Sequence, residues 1–158
     1  MRQIYFEYQK RSKAKLQKEV RKIKIIIPGV PVGKGRPKFS TFNGNAVAYT
    51  PKLTVNYENL VKLAFQQSGE KAFDRETQLK AGINAYFPIP KSTSKKKREE
   101  MQKGLILPTK KPDTDNIAKA ILDALNGLAY YDDAQICHLE VYKYYSDEPR
   151  AEVFISAI

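Results

Sequence analysis

The chain has 158 residues and a formal net charge of +11, from 28 Lys and Arg against 17 Asp and Glu. That length suits one domain that buries roughly 70 % of the surface its unfolded chain exposes, and a 42 % hydrophobic share is too high for a disordered chain. A single Cys and a single His exclude a disulfide framework and a Cys/His zinc site, and no apolar run approaches the roughly 18 residues of a membrane span.

The opening MRQIYFEYQK has no signal-peptide core, so a cytoplasmic protein without membrane partners is expected. Residues 1–20 read as a basic helix or arm ahead of a domain over 21–158. Residues 1–24 hold nine basic and two acidic side chains, which is +7 of the total. RKIKIII (21–27) alternates as a strand, with Ile23, Ile25 and Ile27 on one face, and Pro28 and Gly29 end it. A loop over 28–40 leads to a hairpin around FNGNAVAYT, where Asn43-Gly44 is a strong turn signal. Residues 51–69 read as a helix, with Pro51 early and Gly69 just past its end.

LKAGINAYFPIP (79–90) reads as a strand closed by prolines, and Ser92 to Lys103 as a short exposed helix. The run KSTSKKKREEMQK (91–103) adds +4 to the charge. Cys137, Leu139 and Val141 alternate with His138, Glu140 and Tyr142, as in a half-buried strand with Cys137 on the core side and inert. Asp147, Glu148 and Pro149 make a turn before the last strand, AEVFISAI (151–158). This order predicts an α+β fold, a mixed or antiparallel sheet flanked by helices, without internal repeats.

Dense positive charge on a small domain favours nucleic acid, because neutralising phosphates releases condensed counterions; a solvated, solubilising surface explains the same charge. Lys34, Arg36 and Lys38 in GKGRPK are placed to contact phosphates from a loop. GKGRP is no P-loop, since only three residues separate Gly29 from Gly33 and Gly35 stands where Ser or Thr is needed. Lys95, Lys96, Lys97 and Arg98 can hold a DNA arm or simply coat a helix. Tyr130 and Tyr131 suit core packing or base stacking, and His138 suits an exposed strand better than a ligand position.

The most informative stretch is KPDTDNIAKAILDALNGLAYYDDAQI (111–136). As a helix over Asn116–Gly127, Ile117, Ile121, Ala124, Leu125 and Leu128 form an apolar arc about 100° wide. Asp115, Asn116, Lys119, Asp123 and Asn126 form a polar one. Asp115 then stands at the N-cap, and Asp113, two residues earlier in an extended lead-in, points the same way. With Asp132 and Asp133 after the helix, three or four carboxylates can gather at one end of the sheet. Close carboxylates repel unless a cation lies between them, and Mg²⁺ prefers carboxylate oxygens and waters. The same residues also serve as a helix cap, an i, i+4, i+8 ion-pair ladder through Asp115, Lys119 and Asp123, and an ordinary turn.

This stretch resembles the signature of the RusA family of Holliday-junction resolvases, found in bacteria and prophages: D-x-D-N, a Lys four residues after the second Asp, D-A-L, then DD-x-Q. The resemblance extends more loosely over about 22–157, including GKGRPKF (33–39) and AYTP (48–51). It implies a homodimeric, Mg²⁺-dependent endonuclease, with Mn²⁺ as a substitute, that cuts four-way DNA junctions by paired symmetric nicks and needs no nucleotide cofactor. Carried over by motif, Asp113, Asp115 and Asp133 are the catalytic carboxylates and bind the metal, with Asp132 beside them as a further metal ligand, and Lys119 is the catalytic lysine. Lys111, next to the motif, joins the phosphate contacts. Asp123 matches the Asp of D-A-L and supports the site. The basic arm and the basic insert before the motif depart from the pattern. Two other readings are a non-catalytic branched-DNA-binding dimer and a transferase that uses D-x-D to hold a nucleotide-sugar diphosphate.

Overall fold

A computed structural model describes residues 21–42 and 45–158. The basic arm and the Asn43-Gly44 turn lie outside the described residues.

Strand β1 (Lys22–Pro28) forms because its isoleucines fall on alternate positions, and Ile23, Ile25 and Ile27 are fully buried. It stops at Gly29, which takes a φ of +90° and donates its N–H to the Pro149 carbonyl at 3.0 Å. Strands β2 (Lys38–Phe42) and β3 (Asn45–Tyr49) make a separate antiparallel ribbon. Helix α1 (Lys52–Ser68) follows Pro51 and ends at Gly69, whose φ of +70° is the left-handed turn glycine adopts freely. Its buried side chains, Thr54, Tyr57, Val61 and Phe65, follow the helical period.

Strand β4 (Leu79–Pro88) alternates buried and half-buried residues along its length. Helix α2 (Lys95–Gln102) buries only Met101. Helix α3 (Thr114–Leu125) packs its apolar arc on the sheet and against α1. A single 3₁₀ turn (Asp133–Gln135) leads into β5 (Ile136–Ser146), and β6 (Arg150–Ala157) ends the fold.

The four long strands lie in the order β1-β6-β4-β5, antiparallel except for the β4–β5 pair. The sheet is therefore mixed, and β5 and β6, although joined by a short turn, flank β4 rather than pair. Lys22, Leu79, Ile136 and Ala157 share one end of the sheet, and Pro28, Pro88, Ser146 and Arg150 share the other. The core lies on one face, where alternate residues of β1, β4 and β6 meet Tyr57, Val61 and Phe65 of α1 and Ile117, Ile121 and Leu125 of α3. The opposite face carries stacked Tyr86, Tyr144 and Tyr142, with Lys22 and Lys24 over Phe154.

Two expectations are corrected. Helix α3 begins at Thr114, so Asp113 rather than Asp115 is its N-cap, and Asp115 stands in the first turn. Cys137 is exposed rather than turned into the core. The β4–β5 register passes from Leu79↔Ile136 to Lys80↔His138, leaving Cys137 as the extra residue of a bulge on an edge strand.

Candidate active site

The chain reaches α3 through Lys110–Pro112, and this lead-in is tied down from below. Lys143 on β5 donates to the carbonyls of Lys110 at 2.6 Å and Pro112 at 3.0 Å. From the other side the loop after β1 lies on the first turn of α3, where the Lys34 N–H donates to the Asn116 carbonyl at 2.8 Å. Gly33 is needed there: a Cβ on it would sit 2.7 Å from Pro112 Cβ and 3.1 Å from Asn116 Cβ. Between loop and helix opens a cavity of about 910 Å³ whose walls include Arg36, Leu53, Lys111, Pro112 and Asp113.

Asp113 and Asp115 are exposed at this end of α3, where the aligned peptide dipoles favour negative charge. Among the described residues no cation lies within salt-bridge distance of either. The Asn116 amide reaches Asp115 Oδ1 only at 3.5 Å. Lys119, one turn further on, is exposed and unpaired among the described residues. Arg36, Lys38, Lys95, Lys96, Lys97 and Lys111 are exposed as well, so they remain available to phosphates. Arg98 is not, being paired with Asp147.

Lys34 is the clear departure from expectation. Its ammonium turns inward, between Glu58 of α1 and Asp123 of α3, 3.0 Å from the latter. Partial burial pulls its pKa down, but the hydrogen bonds and charges of the two carboxylates outweigh that, and the net shift is upward. A lysine so clasped braces the loop, and its charge is met by two carboxylates rather than left unpaired. Asp123, the acid of D-A-L, therefore has an assignable partner, and Glu58 is a residue that sequence reasoning missed, because nothing local marks it.

The second acidic pair is built differently. Asp132 caps the 3₁₀ turn, its Oδ1 accepting the Ala134 N–H at 2.9 Å. Gln135 closes the box: its Oε1 accepts the N–H groups of Tyr131 and Asp132 at 2.8 and 3.1 Å. Its Nε2 donates to the Asp74 and Thr77 carbonyls at 2.8 and 3.0 Å. The DD-x-Q pattern is thus a lock that holds Asp133 outward, with no cation near it among the described residues. Tyr130 is buried, donates its O–H to the Leu122 carbonyl at 2.7 Å, and is core. Burial pushes its pKa up, assisted by the charges of Asp133, Asp123 and Asp132. Tyr131 is 55 % exposed, with the Arg75 guanidinium 3.6 Å above its ring.

The two pairs do not meet. Pro112 lies beside Lys143, seven residues along β5 from Ile136, a rise of about 23 Å. Asp113 and Asp115 stand at one end of α3 and Asp132 and Asp133 beyond the other. Among the described residues, no three His, Cys, Asp or Glu side chains converge to hold a metal. The expected gathering of three or four of these carboxylates at one end of the sheet is therefore corrected: α3 runs the length of the sheet between the two pairs. Each exposed pair still has the donor chemistry of an open Mg²⁺ site, since that ion takes one or two carboxylates and completes its shell with water and phosphate oxygens.

No described helix is long and apolar enough to cross a membrane. The family described as Endodeoxyribonuclease RusA matches residues 28–156, a span that holds every acid discussed above. Uncharacterized protein YqaN of Bacillus subtilis (strain 168) is 42 % identical over 139 residues, covering 86 % of this chain and 96 % of that protein. Crossover junction endodeoxyribonuclease rusA of Lactococcus phage r1t is 27 % identical over 130 residues, covering 82 % and 92 %.

Proposed function

The chain belongs to the RusA family of endodeoxyribonucleases, and on that premise we propose that it is a Mg²⁺-dependent, homodimeric resolvase that opens four-way DNA junctions by paired symmetric nicks. One observation carries the reading: the family match encloses three exposed carboxylates, Asp113, Asp115 and Asp133, that have no cation partner among the described residues of a chain with a net charge of +11. Acids left unpaired in a basic protein are positioned for a cation that arrives with the substrate.

In this reading Asp113 and Asp115 at one end of α3, and Asp133 beyond the other, are metal-binding carboxylates, and Mn²⁺ can replace Mg²⁺. Asp132 supports Asp133 through its cap. When bound, the cation polarises a phosphoryl oxygen and favours ionisation of the attacking water. The protein's own groups do the rest. The Lys119 ammonium, one turn inside α3, neutralises charge that builds on the phosphate oxygens as the bond breaks. Arg36, Lys38 and Lys111 beside Asp113, with Lys95, Lys96 and Lys97 on α2, bind flanking phosphates and set the position of the strand. Two copies related by a twofold axis present identical sites to two strands of the same polarity, which yields symmetric nicks. Such a protein works in the cytoplasm of a bacterium, from a chromosomal or prophage gene.

The test is cleavage of a synthetic four-way junction and a matched linear duplex, with Mg²⁺ or EDTA. Paired nicks on the junction alone, lost with EDTA, are the expected result. Tight junction binding without nicks under Mg²⁺ or Mn²⁺ would instead make it a non-catalytic branched-DNA-binding protein. The transferase reading of D-x-D is set aside by the family membership.

A further inference from the structure

Asp113 and Asp115 belong to a helix that packs on one face of the sheet. The other face, where alternate residues of all four strands point away from the core, is furnished differently. We infer that this open face is a second binding surface, which holds an unpaired strand of nucleic acid by stacking its bases on aromatic rings. The inference goes beyond the resolvase reading, because it uses none of the carboxylates of that reading and does not depend on nicking.

Gly82 is the first sign of a ligand. It lies inside β4, an interior strand, where a glycine weakens the sheet and forgoes side-chain packing. The fold does not require it. Its φ lies outside the left-handed region, and a Cβ built there meets nothing within 4 Å. The missing side chain instead leaves a floor, with Phe154 of β6 and Glu140 of β5 in register on either side. The result is a basin of about 330 Å³, lined by residues of the four strands alone and in the size range of ligand sites.

The groups around the basin match the parts of a nucleotide. Phe154, with the Lys22 ammonium 4.8 Å from its ring centroid, and Tyr142 offer apolar walls to a base. Asn84 presents an amide to the base edge, and Glu140 a carboxylate held by Lys80 at 3.0 Å and His138 at 3.1 Å. Lys22 and Lys80 also line the basin and can meet a phosphate of the same nucleotide. From Tyr142 the rings continue along the sheet: Tyr144 stacks 6.3 Å from Tyr142 and 5.4 Å from Tyr86.

Tyr142 keeps 49 % of its surface exposed. Such a row takes successive bases whatever their sequence, since every base has a π face. Lys22, Lys24, Lys80 and Arg150 outnumber Glu140 and Glu152 on this face, so its net charge complements a phosphate chain. A duplex, whose bases already stack on one another, has no free faces to offer the rings.

The test uses full-length protein in EDTA and the anisotropy of labelled oligothymidylate, oligouridylate and a DNA duplex of the same length. Gly82→Leu fills the basin, and Tyr142→Ala removes the most exposed ring of the row. Each variant, with a wild-type melting temperature, should bind the preferred single strand about tenfold more weakly. Duplex binding should be unchanged. Tighter binding of thymidylate than of uridylate makes the strand DNA, and the reverse makes it RNA. Wild-type affinity in both variants, or an equal loss for single strand and duplex, overturns the platform. A Gly82→Leu change that turns a dimer into a monomer makes the face a contact between copies and overturns it too. Junction nicking with Mg²⁺ should survive both changes; single-strand binding by a protein that never nicks would keep the platform and sink the resolvase reading.

Discussion

The Lys34 ammonium lies 3.0 Å from the Asp123 carboxylate and is held on its other side by Glu58. This clasp joins the loop after β1 to both long helices, and it turns a basic residue of the GKGRP stretch inward. Removing one partner leaves the others partly buried and unmatched. Lys34→Met and Asp123→Asn should each cost about 1–3 kcal/mol in denaturant unfolding. Their effects should be strongly non-additive in the double variant, because they remove the same contact. Since the folded-state pKa of Lys34 is raised, its contribution is complete below the unfolded value of 10.5 and is lost as pH rises through the folded one. Wild type should therefore lose more stability than Lys34→Met above that pH.

Arg36 and Lys111 have no such clasp and flank Asp113. Arg36→Ala and Lys111→Ala should each weaken junction binding and lower the slope of log K against log salt by about 1. Lys34→Met should leave that slope unchanged. A slope that falls with Lys34→Met would return this residue to the DNA surface.

Asp115→Asn keeps the size of the side chain and removes its charge. Nicking should fall by a factor on the order of 10³, while gel-shift affinity for the junction stays within a few-fold. Helix stability should drop by no more than about 1 kcal/mol, the usual worth of an acid in the first turn. Loss of binding in a folded variant would argue against a metal-holding role.

Gly33→Ala places a methyl group 2.7 Å from Pro112 Cβ, against a lead-in already gripped by Lys143. Neither side can yield freely, so a cost of about 1–3 kcal/mol is expected, together with slower nicking as Asp113 shifts. Gly82→Ala meets nothing within 4 Å and serves as the control. Equal melting temperatures for the two variants would show that the loop can move aside.

Gln135→Ala removes four hydrogen bonds that hold the turn carrying Asp133. A loss of about 1–3 kcal/mol is expected. Nicking should fall more than stability alone accounts for, with junction affinity preserved. Wild-type nicking by a folded Gln135→Ala protein would separate the lock from the chemistry.

What the sequence determined by itself is what short-range physics controls. Alternating isoleucines made β1, Pro51 and Gly69 bounded α1, and the apolar arc of 117–125 oriented α3, because period and backbone preference act within a few residues. The acids and Lys119 were legible as a motif, and the family match encloses them. Tertiary structure decided the rest. It turned Lys34 inward, since Glu58 and Asp123 reach it only once two helices and a loop have packed. It exposed Cys137 through a bulge that exists only in the pairing of β4 with β5. It also divided the acids between the two ends of α3, because β5 runs parallel to β4 and must begin at the far end of the sheet. Spacing along the chain says which carboxylates are neighbours in sequence; the direction of a helix and the order of strands say which are neighbours in space.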